Sequence, residues 1–488
     1  MTTLVMKFGG TSVGSAEAHM QAAGIVVEQA QQWDRLVVVV SAMSGVTNAL
    51  IKGARTAAAG DGQSYRAVVA ELRVRHYRVV DELLSQPEER AQVLAMIDGY
   101  LDEFATFCRS VHVLGEVTPR AMDTISSLGE RINARMFAAH LRQRGLHSEA
   151  LDAMALIVTD ATFQKAAPLM DATRERVAER LPPLLAEGVV PVVTGFTGAT
   201  RNGVTTTLGR GGSDYSAAIL GDALDADEVW IWSDVDGVMS ADPRIVSKAR
   251  VIPVLSASEV GELAYFGAKV LHPQTVRPVV ERGIPLWVKN TFNPSCPGTR
   301  IVQNEALGAE NSEVETITGT VKAVTAIQGL SMVNVEGRGM IGVPGIAART
   351  FSAVASQGAS VLMISQASSE QSICFVIPIE AAPPVIQALE DELALELARR
   401  DIDRIWSQDD VVIVTAVGAG MRRTPGVAAR IFGALGKASI NVVAIAQGSS
   451  ECSVSLVVTA ADAAAAVQKI HEEFINGAQP CLDQPESQ

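Results

Sequence analysis

Cysteine is scarce in this sequence, and an excess of positive charge and long apolar runs are absent. The five cysteines include no CxxC pair, so neither a disulfide framework nor a metal site is indicated. The net charge of −14 argues against a nucleic-acid-binding protein, because such proteins usually carry a basic face. Apolar runs such as 36–40 are far shorter than the roughly 20 residues that a membrane span needs. Since residues 1–7 also lack a signal-peptide pattern, we expect a cytoplasmic protein that uses neither nucleic acid nor membrane as a partner.

The length of 488 residues predicts two to four domains. Hydrophobic residues make up 48% of the chain and charged residues 19%, a balance that is typical of compact globular proteins. The composition indicates a flexible tail at 479–488 alone.

Short apolar strands that end in glycine or serine turns alternate with helices in the first part of the chain. Residues 4–8 and 36–40 are the first two such strands, and a helix capped by Ser15 lies between them. This alternation predicts an α/β fold with a parallel-rich central sheet sandwiched by helices. Further strands are predicted over 155–158, 189–194, 204–208, 229–232 and 286–289. The turns at the carboxyl ends of these strands are expected to meet at one edge, where open sheets bind ligands.

A helical insertion and a repeat complete the predicted organisation. Residues 60–145 read as long amphipathic helices, and 303–316 as a linker. Beyond it, PGIAAR at 344–349 returns as PGVAAR 81 residues later, and Gln366 returns as Gln447 at the same offset. Each copy predicts strand, glycine loop, helix, strand, turn, strand and helix, so we expect two ferredoxin-like α+β modules at 317–400 and 401–478.

The stretch Leu208 to Asp214 has the composition of an anion pocket. Its three glycines allow close backbone approach, and Arg210 offers a planar fork of donors. Ser213 and Asp214 are expected to cap the following helix, whose N-terminus favours a phosphate or carboxylate. A plain strand-to-helix turn would have the same sequence features.

Two further residues carry charge in unusual settings. Lys7 lies in an otherwise apolar strand before Gly9 and Gly10, a combination that suits phosphoryl transfer; a surface lysine with a buried stem is the alternative. Glu130 precedes an apolar helical face and is expected near a helix start, where it would either favour the helix dipole or bind a substrate ammonium. Asp234, Asp236 and Asp242 suit either a nucleotide site or ordinary turns.

Five motifs, in this order, resemble those of the aspartate kinases in the amino-acid kinase family. They are KFGGTS at 7–12, VSAMSGVTN at 40–48, LGRGGSD at 208–214, SDVDGVMSADPR at 233–244 and GAKVLHP at 267–273. The resemblance covers the whole chain, because two tandem ACT modules follow the catalytic domain in that family. It implies an amino-acid kinase domain at 1–302 that phosphorylates the β-carboxylate of L-aspartate with ATP and Mg²⁺.

The resemblance also implies the roles of individual residues. Lys7, Gly9 and Gly10 would stabilise the transferring phosphoryl group, and Asp214 would orient Lys7 and the reacting groups. Arg210 would pair with the aspartate α-carboxylate and Glu130 with its α-amino group, and the remaining substrate contacts would be Ser41, Thr47 and Ser213. The ATP contacts besides Lys7 and Gly10 would be Ser233, Asp234, Met239, Arg244 and Lys269. The effector would contact Gln366 and Gln447; hydrogen bonding at the edge of the sheet is the alternative role of either glutamine.

The repeat resembles the regulatory half of threonine-sensitive aspartate kinases more than that of lysine-sensitive ones. We therefore expect feedback regulation by threonine, with lysine or the two amino acids together as the alternatives, and a homodimer or homotetramer formed through the ACT modules. Relatives of this regulatory type often continue into a homoserine dehydrogenase, and the present sequence ends at Gln488. Two other functions stay open: a kinase acting on glutamate, acetylglutamate or UMP, and a non-catalytic amino-acid sensor.

Overall fold

The computed structural model describes residues 1–267, 271, 273–303, 320–340, 343–366, 371–422, 424–448 and 451–475. Lys269, nearly all of the predicted linker and the predicted tail lie outside the described residues. The chain divides into two compact units, Met1–Val238 with Val251–Val260 and Leu271–Ala309, and Met239–Arg250 with Gly261–Val270 and Glu310–Gln488. No helix in the described ranges combines the length and the apolar character that crossing a membrane requires.

A mostly parallel sheet forms the centre of the first unit. Eight strands lie in the order β3-β5-β2-β1-β8-β10-β11-β9, and only the β10–β11 pair is antiparallel. Strands β4, β6 and β7 form a separate small sheet. The bounds are β1 (Thr3–Phe8), β2 (Arg35–Val40), β3 (Ser148–Leu151), β4 (Val158–Thr159), β5 (Val190–Thr194), β6 (Thr197–Thr200), β7 (Thr205–Thr207), β8 (Glu228–Ser233), β9 (Val254–Ser256), β10 (Leu286–Asn290) and β11 (Thr299–Val302).

Helices accompany these strands in the predicted alternation. The first helix begins as expected, because the Ser15 side chain accepts a hydrogen bond from the backbone N–H of Ala18. The helical insertion is also present and has its own apolar core, in which Leu72, Phe104 and Ile125 are buried. The bounds are α1 (Ala16–Gln29), α2 (Val46–Ala58), α3 (Ser64–Leu83), α4 (Pro87–Leu114), α5 (Pro119–Gln143), α6 (Met170–Ala186), α7 (Gly212–Ala223), α8 (Ala257–Tyr265) and α9 (Pro273–Glu281).

The predicted strand over 155–158 is wrong. Residues Ala153–Ala155 form a 3-10 turn, and only the two-residue strand β4 follows. The backbone N–H of Ala153 donates to the Thr194 hydroxyl at 2.8 Å, which favours a turn at the point where the chain leaves the main sheet. An apolar run alone could not distinguish this arrangement from a strand.

The second unit contains a six-stranded antiparallel sheet in the order β13-β14-β12-β15-β17-β16. Each copy of the repeat supplies three of these strands, and the helices pack on the sheet in two cores. The bounds are β12 (Ala323–Glu336), α10 (Ile346–Ser356), β13 (Met363–Gln366), β14 (Ser372–Pro378), α11 (Ala382–Glu392), α12 (Ala394–Arg399), β15 (Arg404–Val417), α13 (Val427–Lys437), β16 (Ala444–Gln447), β17 (Ser453–Thr459) and α14 (Ala463–Ile475).

The two ferredoxin-like modules share their long central strands. The first part of β15 pairs with the second part of β12, next to β14, and supplies the fourth strand of the first module. The second part of β15 pairs with β17 and with the first part of β12, which supplies the fourth strand of the second module. Both modules are therefore present as predicted, but neither forms its sheet without the other.

Candidate active site

A cavity of about 240 Å³ lies at the carboxyl ends of β1 and β2 in the first unit. Parallel pairing of β1 with β2 brings both ends to the same edge of the sheet, as expected for an open α/β sheet. Phe196 and three glycines of the 209–212 turn form part of its wall. The wall also contains six residues that the sequence analysis assigned to catalysis or substrate binding, namely Lys7, Ser41, Thr47, Glu130, Ser213 and Asp214.

Lys7 is buried inside β1 and faces a carboxylate. Its side chain forms an ion pair with Asp214, and the residue is only 8% exposed. The alternative of a surface lysine with a buried stem is therefore excluded. Burying such an ion pair costs free energy unless further polar groups or ligands satisfy it. Buried charges in a cavity are therefore typical of sites that bind charged ligands.

The helix after the glycine turn starts differently from the prediction. Gly211 is the N-cap residue, in the left-handed conformation with φ 69°, and no side chain caps the helix. Ser213 and Asp214 are consequently in the first turn of α7 and are not capping residues. Glycine at the cap provides the positive φ that a larger residue would adopt only with strain, and both side chains are left to line the cavity.

Glu130 lies in the middle of α5 rather than near a helix start, so a role in favouring the helix dipole does not apply. The residue is 4% exposed, and its Oε2 atom has no hydrogen-bond partner among the described residues. Burial raises the pKa of Glu130 from 4.5 to about 8, although the Ala42 backbone N–H and the charge of Lys7 act in the opposite direction. A buried carboxyl with an unused oxygen on the cavity wall would be stabilised as a carboxylate by an incoming cation.

Arg210 lies at the tip of the turn between two glycines with positive φ. The residue is exposed and does not line the cavity. It forms no ion pair with any described residue, so its guanidinium is available for an anionic ligand.

The glycines after β1 are only partly available to a ligand. The backbone N–H of Gly9 donates to the Trp232 carbonyl at 3.1 Å, so this N–H already has an acceptor in the described structure, and the role of Gly9 in phosphoryl transfer stays a prediction. Gly10 serves a steric need, because a Cβ there would lie 3.0 Å from the Ala42 carbonyl oxygen. Its own carbonyl accepts from the Ser44 backbone N–H at 3.0 Å, which joins the turns after β1 and β2.

The Ser41 and Thr47 side chains enter the cavity from either end of the turn that follows β2. Gly45, with φ 83°, begins α2 and places Thr47 in its first turn. The Ser41 carbonyl accepts a hydrogen bond from the Asn133 side chain at 2.6 Å. Helix α5 thus fixes the position of this turn through the Asn133 side chain.

Sequence reasoning missed three contributors. Phe196, with φ 64°, lines the cavity, and its backbone N–H donates to the buried Ser216 hydroxyl at 2.9 Å. Asn133 and Asp123 lie on α5, where Asn133 donates to the Ser41 carbonyl and Asp123 accepts from the Thr207 backbone N–H. The only signal in the sequence was their spacing of three and seven residues from Glu130, which places all of them near one helix face.

The residues predicted to bind the nucleotide are divided between the two units. Ser233 ends β8, and Asp234 is exposed beside it. Asp236 is occupied as an acceptor for the side chains of Asn290 and Asn293 at 2.8 and 3.0 Å. Met239 and Arg244 belong to the second unit, where Arg244 pairs with Asp242 at 2.6 Å, and Lys269 lies outside the described residues.

A second cavity, of about 320 Å³, lies in the first ferredoxin-like module. Gln366, at the end of β13, lines it together with the start of α10, whose N-cap Gly345 has φ 94°. The other lining residues that the structure describes are mostly apolar, and none of these is acidic. Gln447 holds the equivalent position at the end of β16, with an exposed side chain.

Comparisons with known proteins agree with this architecture. Residues 2–290 match the model of the amino acid kinase family, and residues 333–393 and 414–474 match an ACT domain model. The chain is 39% identical, over 96% of its length, to bifunctional aspartokinase/homoserine dehydrogenase 1 of Zea mays, and it spans about half the length of that protein and similar relatives. It is 33% identical to aspartokinase 1 of Arabidopsis thaliana, covering 97% of this chain and 80% of the relative.

Solved structures give the same result. Two structures of E. coli aspartokinase III, one in complex with aspartate and ADP and one with lysine and aspartate, superpose with TM-scores of 0.76 and 0.78. Both are 29% identical and cover 97% of this chain and 100% of theirs. The predicted fold class is therefore confirmed. The chain belongs to the amino acid kinase family and, within it, to the aspartokinases that carry a pair of ACT domains.

Proposed function

We propose that this chain phosphorylates the β-carboxylate of L-aspartate with Mg-ATP to give 4-phospho-L-aspartate, the first step of lysine, threonine and methionine biosynthesis. The observation that carries the proposal is the cavity beside the turn that contains Arg210, because the Lys7–Asp214 pair and the Glu130 carboxyl, whose Oε2 has no partner among the described residues, both line it. Aspartate and ADP are the ligands named for the E. coli aspartokinase III structure, which supports the same substrates here. A cytoplasmic location stays a prediction.

The amino acid is held by its two common charges. Its ammonium group pairs with Oε2 of Glu130, and its α-carboxylate pairs with Arg210; neither of these two groups has a partner among the described residues. Hydroxyl groups of Ser41, Thr47 and Ser213 supply neutral donors along the wall. Binding by both charges orients the side-chain carboxylate and removes much of the entropic cost of the reaction.

The chemical step brings one anion to another. The β-carboxylate is already ionised at neutral pH, so no general base is required. One of its oxygens attacks the γ-phosphorus of ATP in line, the bond to the β-phosphate oxygen breaks, and ADP leaves with that electron pair. Lys7 and the Gly10 N–H stabilise the charge on the transferring group, Asp214 orients Lys7, and Mg²⁺ arrives as part of the nucleotide substrate.

The nucleotide is proposed to contact Ser233, Asp234, Met239, Arg244 and Lys269. Ser233 ends β8, the strand paired with β1, and Asp234 follows it, so both lie beside the strand that carries Lys7. Arg244 and Lys269 would offset the phosphate charge. The support for Met239, Arg244 and Lys269 is the motif resemblance.

Turnover with different acceptors tests the proposal. ADP release is measured with aspartate, glutamate, acetylglutamate and UMP, and hydroxylamine trapping is used to detect the acyl phosphate. We expect turnover and a hydroxamate with aspartate alone. Turnover with another acceptor would replace the substrate assignment, whereas binding of aspartate without any turnover would favour the amino-acid sensor. The buried Lys7–Asp214 pair favours catalysis, because a protein that only senses an amino acid has no need of it.

The proposed regulation is feedback inhibition at the cavity lined by Gln366. Its described wall offers an amide and the N-terminal end of α10, and none of the described lining residues carries a carboxylate, so we propose a small neutral side chain such as that of threonine in preference to the second ammonium of lysine. Lysine, or lysine with threonine, stays the alternative, and lysine is named for one E. coli aspartokinase III structure. Titration with threonine, lysine and both distinguishes these cases; Q366A is expected to weaken inhibition more than Q447A.

A homodimer or homotetramer formed through the ACT modules completes the proposal. The outer strands β13 and β16 expose Ile364 and Ile445 at equivalent positions of the repeat, with 51% and 47% exposure. Apolar side chains on open strand edges favour pairing with another chain. Light scattering of the wild type and of I364K/I445K tests this interface, and V74K, which changes an exposed valine of α3, is the control. An unchanged mass for I364K/I445K would remove these strands from the interface.

A further inference from the structure

We propose that Asp123 is a positioning residue. It fixes the turn that follows β7 and contains Arg210 at a set distance from Glu130. The inference rests on the proposed function, since it concerns how the two ends of the amino acid are bound. Nothing in the aspartokinase motifs quoted above includes this residue.

The contacts of Asp123 are those of a structural acceptor at the base of the turn. Its Oδ1 accepts from the Thr207 hydroxyl at 2.8 Å, and its Oδ2 accepts from the backbone N–H groups of Thr207 and Gln164 at 3.1 and 3.0 Å. The residue is 1% exposed and forms no ion pair with any described residue. A buried carboxylate of this kind is held by its hydrogen bonds alone, and their loss is costly.

The groups that Asp123 binds are the two supports of the turn. Thr207 ends β7, and the turn with Arg210 follows it directly. Gln164 has φ 70°, and its carbonyl oxygen lies so close to Gly209 that a Cβ there would be 3.0 Å away. One carboxylate therefore fixes both the strand that enters the turn and the segment that packs against it.

Asp123 and Glu130 share a helix. They are seven residues apart on α5, which corresponds to two turns, so both side chains project from nearly the same face. Through Asp123, the helix that carries the ammonium-binding carboxylate also holds the turn that binds the α-carboxylate. The distance between the two binding groups is thus set by a rigid element and not by the turn itself.

Substitution D123A removes both acceptor oxygens and with them all three hydrogen bonds. The turn then loses its support, and we expect the KM for aspartate to rise by about tenfold or more while the KM for ATP changes by less than about twofold. Steady-state kinetics with each substrate varied in turn measures the two values. Aspartate-induced protection against thermal unfolding provides a second readout that does not depend on turnover.

D123N tests whether the hydrogen bonds or the charge are responsible. The amide oxygen can accept both backbone N–H groups while the amide NH₂ donates to the Thr207 hydroxyl, so D123N should keep the KM for aspartate within about threefold of the wild type. T207V removes only the hydroxyl contact and should give an intermediate value. If D123A does not fold, the D123N and T207V pair still tests the inference: a KM for D123N above that of T207V would overturn it.

D222A is the matched control. Asp222 is also a buried carboxylate of the first unit, but it lies at the far end of α7 and pairs with Arg174 and Arg282. Its loss should lower stability without changing the KM for aspartate. Equal effects of D123A and D222A, equal changes in both KM values for D123A, or failure of D123N to restore the KM would each overturn the positioning role. Absence of aspartate-dependent turnover in the wild type would instead refute the proposed function.

Discussion

At the scale of single residues, Lys7 shows how a charge is kept inside an apolar strand. Its neighbours in β1 are all buried, and Asp214 supplies the counter-charge. A buried lysine is stable only while its partner is present, so the pair forms a fixed electrostatic centre before any ligand binds. Such preorganised charge is the main means of stabilising a phosphoryl transition state.

Substitution K7A should remove most of the turnover. We expect kcat to fall by about 10²–10³-fold with a modest change in the KM for ATP, since Lys7 acts on charge that develops in the transition state. K52A, which changes an exposed lysine of α2, should leave kcat unchanged. Near-normal turnover of K7A in an ADP-release assay would refute the catalytic assignment.

Glu130 should make aspartate binding depend on pH. Because its pKa is about 8 in the substrate-free protein, the carboxyl is largely neutral at pH 7 and must lose its proton to pair with an ammonium group. The KM for aspartate should therefore fall by up to about tenfold per pH unit as pH rises from about 6 to 8, and then level off. Steady-state kinetics over this range measures the effect, and E130Q should give a higher and pH-independent KM.

The raised pKa of Glu130 also predicts that the folded protein without substrate becomes less stable as pH rises. The pKa of Glu130 is raised in the folded state, so its contribution to stability is fully present below pH 4.5 and is lost as pH rises through about 8. The stability of the wild type relative to E130Q should decline across that range in urea unfolding without substrate. A constant difference would show that the carboxyl is not buried as described.

At the scale of elements, α5 and α2 meet through a glycine. A Cβ on Gly129 would lie 2.9 Å from the Ala42 side chain and 3.2 Å from that of Val46. Since Gly129 precedes Glu130 directly, the close approach also places the carboxyl against the turn that carries Ser41. The packing of α5 therefore sets the shape of the cavity.

G129A should impair both stability and activity. The added methyl group must displace the turn, and we expect a loss of about 1–3 kcal/mol of unfolding free energy together with a lower kcat. G99A is the control, because Gly99 is exposed in α4 with open space around it; alanine there should stabilise by about 0.5–1 kcal/mol. Chemical unfolding and kinetics of both variants measure these effects, and equal stability of the two would contradict the close-packing argument.

At the scale of the whole molecule, the segment 239–250 belongs to the second unit although it lies within the predicted kinase domain. The buried Ser240 hydroxyl and the His471 ring of α14 are joined by a hydrogen bond of 2.9 Å. The Gln468 side chain donates to the Ile245 carbonyl at 2.8 Å. Met239 and Arg244, two of the proposed nucleotide contacts, are thus carried by a segment that is packed on an ACT module.

H471A should therefore weaken ATP binding from a position outside the kinase motifs. Loss of the Ser240 contact loosens the segment that carries Arg244, and we expect the KM for ATP to rise by about threefold to tenfold with little change for aspartate. Kinetics with ATP varied measures the effect, and H147A, which changes an exposed histidine, is the control. Equal changes in both KM values would indicate general destabilisation.

Much of the architecture could be predicted because its signals are local. Alternation of apolar strands and helices specifies a parallel sheet, and the 81-residue offset specifies a repeated module. The prediction of a strand at 155–158 was wrong because a hydrogen bond from Ala153 to Thr194, 41 residues away, favours a short turn there. The sharing of β12 and β15 between modules could not be predicted, because each copy of the repeat was consistent with a complete fold of its own.

For the site, the sequence alone determined which residue types stand at the carboxyl ends of the strands. Lys7 and Ser41 come together for this reason, because the parallel strands β1 and β2 end at the same edge. Arg210 and Asp214 follow β7, which pairs antiparallel with β6 in the small sheet, so their position depends on the tertiary structure. Only the tertiary structure decided how these groups are used: Gly9 donates its N–H to Trp232, Gly211 and not Ser213 caps α7, and Asp123 supports a turn more than 80 residues away. These facts depend on contacts between segments far apart in the chain, and no local pattern records which donor reaches which acceptor.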